Sequence, residues 1–296
     1  MNVNGVININ KEAGYTSQDV VSVVRRILGG VKAGHTGTLD PMATGVLPVC
    51  VGRATKIADY IQAGDKEYAA VMRLGVVTDT EDTTGAIISR TAPVADHTRI
   101  QAAVQSFANG YMQTPPMYSA VKIDGRRLYK LARGGATIDR PARFAAVYGI
   151  DVVSVAPPDV SLVVRCGKGV YIRTLIADIG AALGCGACMA DLVRTRTGKF
   201  HIGDAFTLSA VETMTRNVDM GFIRPVDDVL DYQKIHIMPD ITQLLYNGNK
   251  LPLGAVNPAP AGDVNVFVYD NDKLCGIYKP DGDFLRPVTM LTDTRG

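Results

Sequence analysis

Gly34-His35-Thr36-Gly37-Thr38-Leu39-Asp40-Pro41-Met42-Ala43-Thr44-Gly45 is the stretch around which the rest of the chain is organised. Its three glycines and one proline break regular structure, and they let backbone approach a ligand closely. Pro41 pushes the Asp40 backbone toward an extended conformation. Regular elements are legible on both sides, and a long irregular segment between good elements is where functional groups tend to be presented. Taken alone, the same residues also fit a surface loop in which Asp40-Pro41 only opens a turn.

Upstream, residues 3–10 alternate loosely as a strand would, and Thr16, with Asp19 three residues on, caps a helix whose apolar face runs from Val20 to Leu28. Downstream, 46–51 reads as a short buried segment, and Thr55 caps a short helix through Ile61. Residues 66–75 read as a strand and 78–85 (TDTEDTTG) as a polar turn region. A helix follows Thr98. Pro115-Pro116 forces an extended segment, and Asp124-Gly125 fits a hairpin turn. Arg126 to Arg133 reads as a basic helix. Strands are expected over 143–155 and 160–166, a helix over 171–183, an alternating strand over 192–200, and a helix after Thr207. Past residue 230, a helix at 241–246 precedes three strand signals at 264–269, 274–279 and 284–291. Strands and helices mix without strict alternation. The expected class is α+β, with a mixed, largely antiparallel sheet and flanking helices, plus a small β-rich unit. The expected division is 1–234 and 235–296.

At 296 residues and 47% hydrophobic, the chain can bury a sizeable core. It opens without a basic start followed by an apolar run, and no stretch is long enough to span a bilayer, so a cytoplasmic location is expected. Five scattered cysteines exclude a disulfide framework. Cys185 and Cys188 have the spacing of half a zinc site, but no second pair exists. His35 has no partner at metal spacing. No phosphate loop, dinucleotide fingerprint or serine-nucleophile elbow occurs. The net charge of +2 leaves nucleic-acid binding to local distribution. Arg126, Arg127, Lys130 and Arg133 cluster, as do Arg165, Lys168 and Arg173, and Arg194, Arg196 and Lys199. Tyr118, Tyr129 and Tyr171 are interleaved with them. Basic groups contact phosphates and aromatics stack on unstacked bases, while a solvated surface of ordinary ion pairs gives the same pattern.

Four segments together resemble the TruB family of tRNA pseudouridine synthases: GHTGTLDPMATGVLP, KEYAAVMRLGVVTDTEDTTG, QTPPMYSAVKIDGRRLYKLARGG and RCGKGVYIRTLIADIGAALGCGA. The resemblance covers roughly residues 3–210 in one order. The C-terminal unit looks like a small PUA-type RNA-binding domain. The resemblance implies that Asp40 is the catalytic residue and that His35 packs into the space left when RNA bases flip out. It implies that Tyr68 stacks on the target base, that Tyr171, Arg173 and Leu192 bound the pocket, that Arg173 pairs with the catalytic carboxylate, and that Lys11 supports the site. Three positions depart from the family pattern: Glu12 stands where a proline is usual, Cys188 where a basic residue or histidine is common, and Val193 where an arginine often follows the pocket leucine.

The implied reaction converts the uridine at tRNA position 55, in the T-arm loop, to pseudouridine. A C–N glycosidic bond breaks, the uracil rotates and a C–C bond forms at the same sugar carbon. There is no redox change or net hydrolysis, so neither cofactor nor metal is expected. Flipping the base costs a few kcal/mol, which stacking and hydrogen bonds in the pocket offset. The expected partner is tRNA alone, with the chain acting as a monomer, without an obligate protein partner and away from membranes. Three other readings compete: a catalytically silent RNA-binding protein on the same fold, a synthase acting on another RNA, and a carboxylate-dependent glycosidase. The last needs a second acid opposite Asp40, and the carboxylates of TDTEDTTG read as turn residues.

Overall fold

The computed structural model describes residues 3–119, 122–123, 126–127 and 138–292. Strand β1 (Gly5–Lys11) is interior: Val6, Ile7 and Ile9 are fully buried, so both its faces are covered. Helix α1 (Ser17–Ile27) begins at a complete capping box between Thr16 and Asp19, and it buries Val20, Val21 and Val24. Strand β2 (Thr44–Val51) is buried almost throughout. Strand β3 (Lys66–Leu74) alternates strictly, with Lys66, Tyr68, Ala70, Met72 and Leu74 buried. Helix α2 (His97–Gln105), capped by Asp96, precedes strands β4 (Val147–Ala156) and β5 (Asp159–Cys166). Helix α3 (Ile172–Leu183), strand β6 (Ala187–Thr197), helix α4 (Leu208–Arg216) and strand β7 (Ile223–Arg224) complete this part.

These strands form one sheet in the order β4-β5-β3-β6-β2-β1-β7. Every neighbouring pair on this path is antiparallel except β6 and β2, which run parallel with Val193 beside Thr44 and Arg194 beside Gly45. The fold is therefore α+β with a mixed, largely antiparallel sheet and flanking helices. Helix α3 lies close against the start of β6. A Cβ on Gly180 would meet the Ala187 backbone nitrogen at 2.2 Å, so only glycine allows that approach.

A second sheet follows. Its strands β8 (Gln233–Ile237), β9 (Leu251–Pro252), β10 (Val256–Asn257), β11 (Val266–Asp270), β12 (Lys273–Asp281) and β13 (Phe284–Met290) are ordered β9-β13-β12-β11-β8-β10. It has a core of its own around Ile235, Leu245, Val268 and Tyr278. Phe267, Tyr269, Ile277 and Leu291 instead join a cluster with Val6, Val46, Cys50, Ile57 and Phe200 of the first part.

Two local expectations change. The segment after Val51 is a 3-10 turn, Gly52–Ile57, leading into a short α-helix, Ala58–Gln62; no side chain caps the start of either. Arg126–Arg127 pairs with Lys122–Ile123 as a β-ribbon instead of opening a helix. Asp124-Gly125 and the remainder of the expected basic helix, with Tyr129, lie outside the described residues.

Candidate active site

The irregular loop is short of internal bonds and is held by side chains from elsewhere. The Leu39 N–H donates to Ser17 Oγ at 2.9 Å, and that hydroxyl reaches the Leu39 carbonyl at 3.2 Å. Gly14 N–H donates to the Pro41 carbonyl at 2.8 Å. Lys11 is fully buried, and its ammonium donates to the carbonyls of Glu12, Tyr15 and Pro41 at 3.0, 2.7 and 3.2 Å. Burial pulls its pKa down to about 8, against the opposing attraction of Asp40. Arg194, 2% exposed, donates from Nε to the Val46 carbonyl at 2.7 Å and from Nη2 to the Gly37 carbonyl at 3.3 Å. Two buried cations thus replace the backbone partners that a regular element would have provided.

Asp40 meets Arg173 side-on. Arg173 Nε lies 2.8 Å from Asp40 Oδ2, and Nη2 donates to Oδ1 at 3.3 Å. Both terminal nitrogens also donate to backbone: Nη1 to the Thr80 carbonyl at 2.8 Å, and Nη2 to the Tyr118 carbonyl at 3.0 Å. The Asp82 carboxylate stands 3.8 Å from Nη1 on the other side. The Arg173 side chain is 6% exposed and that of Asp40 36%. The guanidinium is a fixed clamp, and the carboxylate keeps an open face. A two-point charge-assisted pair fixes orientation as well as charge.

The walls come from the sheet. Tyr68, Arg194 and Gly45 occupy one cross-strand row through β3, β6 and β2. Tyr68 and Leu192 are both buried, and they share a core cluster with Leu39 and Ala43 of the loop and Ile172 of α3. Burial raises the pKa of the Tyr68 phenol, with the Arg194 charge working against it. Tyr171, half-buried, stands at the N-terminus of α3. The Gln113 side chain holds its backbone at both ends: Tyr171 N–H donates to Oε1 at 2.9 Å, and Nε2 donates to the Tyr171 carbonyl at 3.0 Å. His35 ends the short strand Ala33–His35 beside β2. Its Nδ1 accepts from Gly37 N–H at 3.3 Å, and burial, then the Arg194 charge, lower its pKa. A carboxylate, an oriented guanidinium and an aromatic wall therefore meet at one loop. That set suits nucleophilic or base chemistry on a ring stacked against Tyr68.

The sequence groups Arg194 with Arg196 and Lys199 as a basic cluster open to RNA phosphates or to solvent, and the structure buries it. The signal was available: in an alternating strand Arg194 shares the parity, and so the face, of Leu192. Asp82, read only as a turn former, does bind its own turn, since Oδ1 accepts from Thr80 Oγ1, Thr84 N–H and Thr84 Oγ1. It also faces Arg173, which no local pattern indicated. Gln113 was not singled out. Among the cations of the second cluster, Arg165 is a surface residue paired with Asp151 at 2.7 Å, whereas Arg173 is buried. Of the departures, Glu12 is exposed and accepts the Lys11 bond only through its backbone. Cys188 is fully buried, and Cys185, Cys188 and the other three cysteines are free. Val193 is the half-buried partner of Thr44 in the parallel pair.

Residues 25–172 match the family model for the TruB family pseudouridylate synthase N-terminal domain, and 173–231 match that for the tRNA pseudouridylate synthase B C-terminal domain. A tRNA pseudouridine synthase B of Clostridium kluyveri is 44% identical over 247 residues, covering 83% of this chain and 84% of the relative. That of Clostridium tetani is 41% identical over 292 residues, covering 98% and 100%. Among solved structures, a chain of a Cbf5-Nop10-Gar1 complex superposes with a TM-score of 0.74 at 27% identity, covering 98% of this chain and 85% of the other. A chain from an H/ACA RNP bound to a substrate RNA containing 2'-deoxyuridine superposes with a TM-score of 0.72 at 25% identity, covering 98% and 86%.

Proposed function

This chain belongs to the TruB family of tRNA pseudouridine synthases, and from that premise we propose that it acts on the uridine at tRNA position 55, in the T-arm loop, through Asp40. In this reading the uridine is flipped out of the RNA and stacks on Tyr68, with Leu192 and Tyr171 closing the pocket. His35 packs into the space that the base vacates, and its neutral ring suits an RNA interior. Arg173 aims the Asp40 carboxylate at the nucleoside. Lys11 and Arg194 keep the loop in shape. The C1'–N1 bond breaks, the uracil turns, and C1' bonds to C5; C5 gives up its proton and N1 gains one, so the product is an isomer. Residues 1–234 carry this chemistry, and 235–296 add RNA contacts.

The observation that carries the reading is the side-on clamp of a half-open Asp40 by a buried Arg173 that is itself held by the Thr80 and Tyr118 carbonyls. A carboxylate kept only for turn geometry has no use for such a clamp, which also weighs against a silent RNA-binding protein. Asp40→Asn keeps an oxygen for Arg173 and removes the charge. The expected outcome is loss of pseudouridine formation with tRNA binding retained. Near-normal pseudouridine in tRNA treated with the variant refutes the assignment of Asp40.

A second reading, action on another RNA inside a protein complex, draws on the resemblance to the Cbf5 chain of a Cbf5-Nop10-Gar1 complex at 27% identity. The relatives named for tRNA stand at 41–44% over most of the chain, which favours a single chain acting on tRNA in the cytoplasm. No helix among the described residues is long and apolar enough to cross a membrane.

A further inference from the structure

A cavity of about 270 Å3, lined in part by Thr80, Glu81, Tyr118 and Arg140, adjoins the two carbonyls that accept the Arg173 Nη hydrogens. Toward this cavity the guanidinium is held by those two carbonyls. One residue in that lining is poorly suited to its place by every local criterion. Glu81 has a backbone φ of 65°, the left-handed conformation that favours glycine. Its carboxyl is partly enclosed, and burial raises its pKa, opposed by the Thr174 hydroxyl and the Arg173 charge. The negative charge of Asp178, on the same helix as Arg173, adds to the rise, and the positive charge of Arg140 counters it. A residue held against its local preferences points to a role outside them.

Its contacts show where that role lies. Glu81 Oε2 accepts from Thr174 Oγ1 at 2.6 Å. Thr174, 5% exposed, follows Arg173 in the first turn of α3. The Glu81 carbonyl accepts from Met189 N–H at 2.9 Å, which fixes the turn to β6. On either side of Glu81 stand Thr80, whose carbonyl binds Arg173, and Asp82, whose carboxylate faces it. We propose that Glu81 is a positioning residue: its bond to the Thr174 hydroxyl ties the turn that bears Thr80 and Asp82 to the helical turn that bears Arg173, and so sets the aim of the guanidinium on Asp40. The inference rests on the reading of Asp40 and Arg173 given above.

Four variants of the full-length chain test it: Glu81→Gly, Thr174→Val, the two combined, and Glu81→Gln, each assayed with a tRNA transcript for single-turnover rate at saturating RNA, for tRNA affinity and for Tm. Glycine relieves the left-handed backbone and removes the tie. A bland turn residue would therefore lose nothing on this change. We expect Glu81→Gly to keep tRNA affinity and Tm while the rate falls about tenfold, the scale of a small misplacement of a reacting group. Thr174→Val falls equally, the double variant is no slower than either single one, and Glu81→Gln, which keeps an acceptor, stays close to wild type. A wild-type rate in Glu81→Gly, or losses that multiply in the double variant, overturns the proposal. Asp40→Asn in the same assay separates the two levels. If it turns over normally, the reading of Asp40 has failed. If it is silent while Glu81→Gly runs at the wild-type rate, only the tie has failed.

Discussion

Lys11 carries its charge into the interior to satisfy three carbonyls around the loop, and this gives it a pH signature. Its pKa is about 8 in the folded chain, lowered by burial from an ordinary 10.5. Between those values the unfolded chain binds more protons, so stability rises with pH across that window and is flat below it. Lys66 has a similar folded value and remains in the variant, so its contribution cancels in a comparison. Relative to Lys11→Met, the wild type should gain stability as pH passes from 8 toward 10.5, read as denaturant midpoints on both sides of pH 8; parallel curves would contradict it. At this scale the sequence nominates Asp40, Tyr68 and Arg173 as candidates because they sit in segments that resemble the family, and Leu192 because the resemblance runs on to about residue 210. It did not convey that Arg194 is internal, because a guanidinium reads as a solvent group until strand parity is set against it. Nor did it convey the bond from Gln113 to Tyr171, which joins residues 58 apart.

Among the elements, the parallel contact between β6 and β2 is the tightest constraint on the loop. Gly45 has φ 96°, and a Cβ there would lie 2.3 Å from the Arg194 carbonyl oxygen, a backbone atom that cannot step aside. Gly29, at the end of α1, has φ 69° and open space around it. Gly29→Ala should therefore cost only the left-handed strain, about 1 kcal/mol, whereas Gly45→Ala should cost on the order of 3 kcal/mol or more and disable pseudouridine formation. Equal losses of Tm in the two would sink this account. Helix starts were legible at Thr16 and Thr207, where a side chain caps them, and at Tyr171, where none does. The helix after Thr98 starts slightly earlier, at an Asp96 cap, and the start assigned to Thr55 was misread because the chain there is a 3-10 turn. The ribbon at Arg126–Arg127 was missed although its partner, Lys122–Ile123, is close in sequence, because the charge and spacing of the basic run fit a helix equally well.

For the whole molecule, the decisive feature is the cluster that joins the two sheets. Fully burying a side chain such as Val46, Ile57 or Phe200 contributes about 1.5–3 kcal/mol. Uncovering several at once is comparable to the roughly 5–15 kcal/mol that holds an ordinary domain folded. Cutting the chain before Gln233 is therefore expected to lower Tm sharply or cause aggregation, before any loss of tRNA affinity can be read. A fragment as stable as the full chain would show that the cluster is dispensable. The sequence announced a β-rich end by its hairpin turns, yet could not show that this end lends Phe267, Tyr269 and Ile277 to the other sheet, since apolar residues carry no address. The parallel pair has a last consequence, in time. The loop of residues 34–45 is made early in synthesis, but the arginine that closes it comes some 150 positions later in the sequence. A nascent or interrupted chain lacking β6 holds every residue of the loop without its shape. Competence for chemistry thus arrives only once β6 has been made, and chains that stop before it are expected to form no pseudouridine.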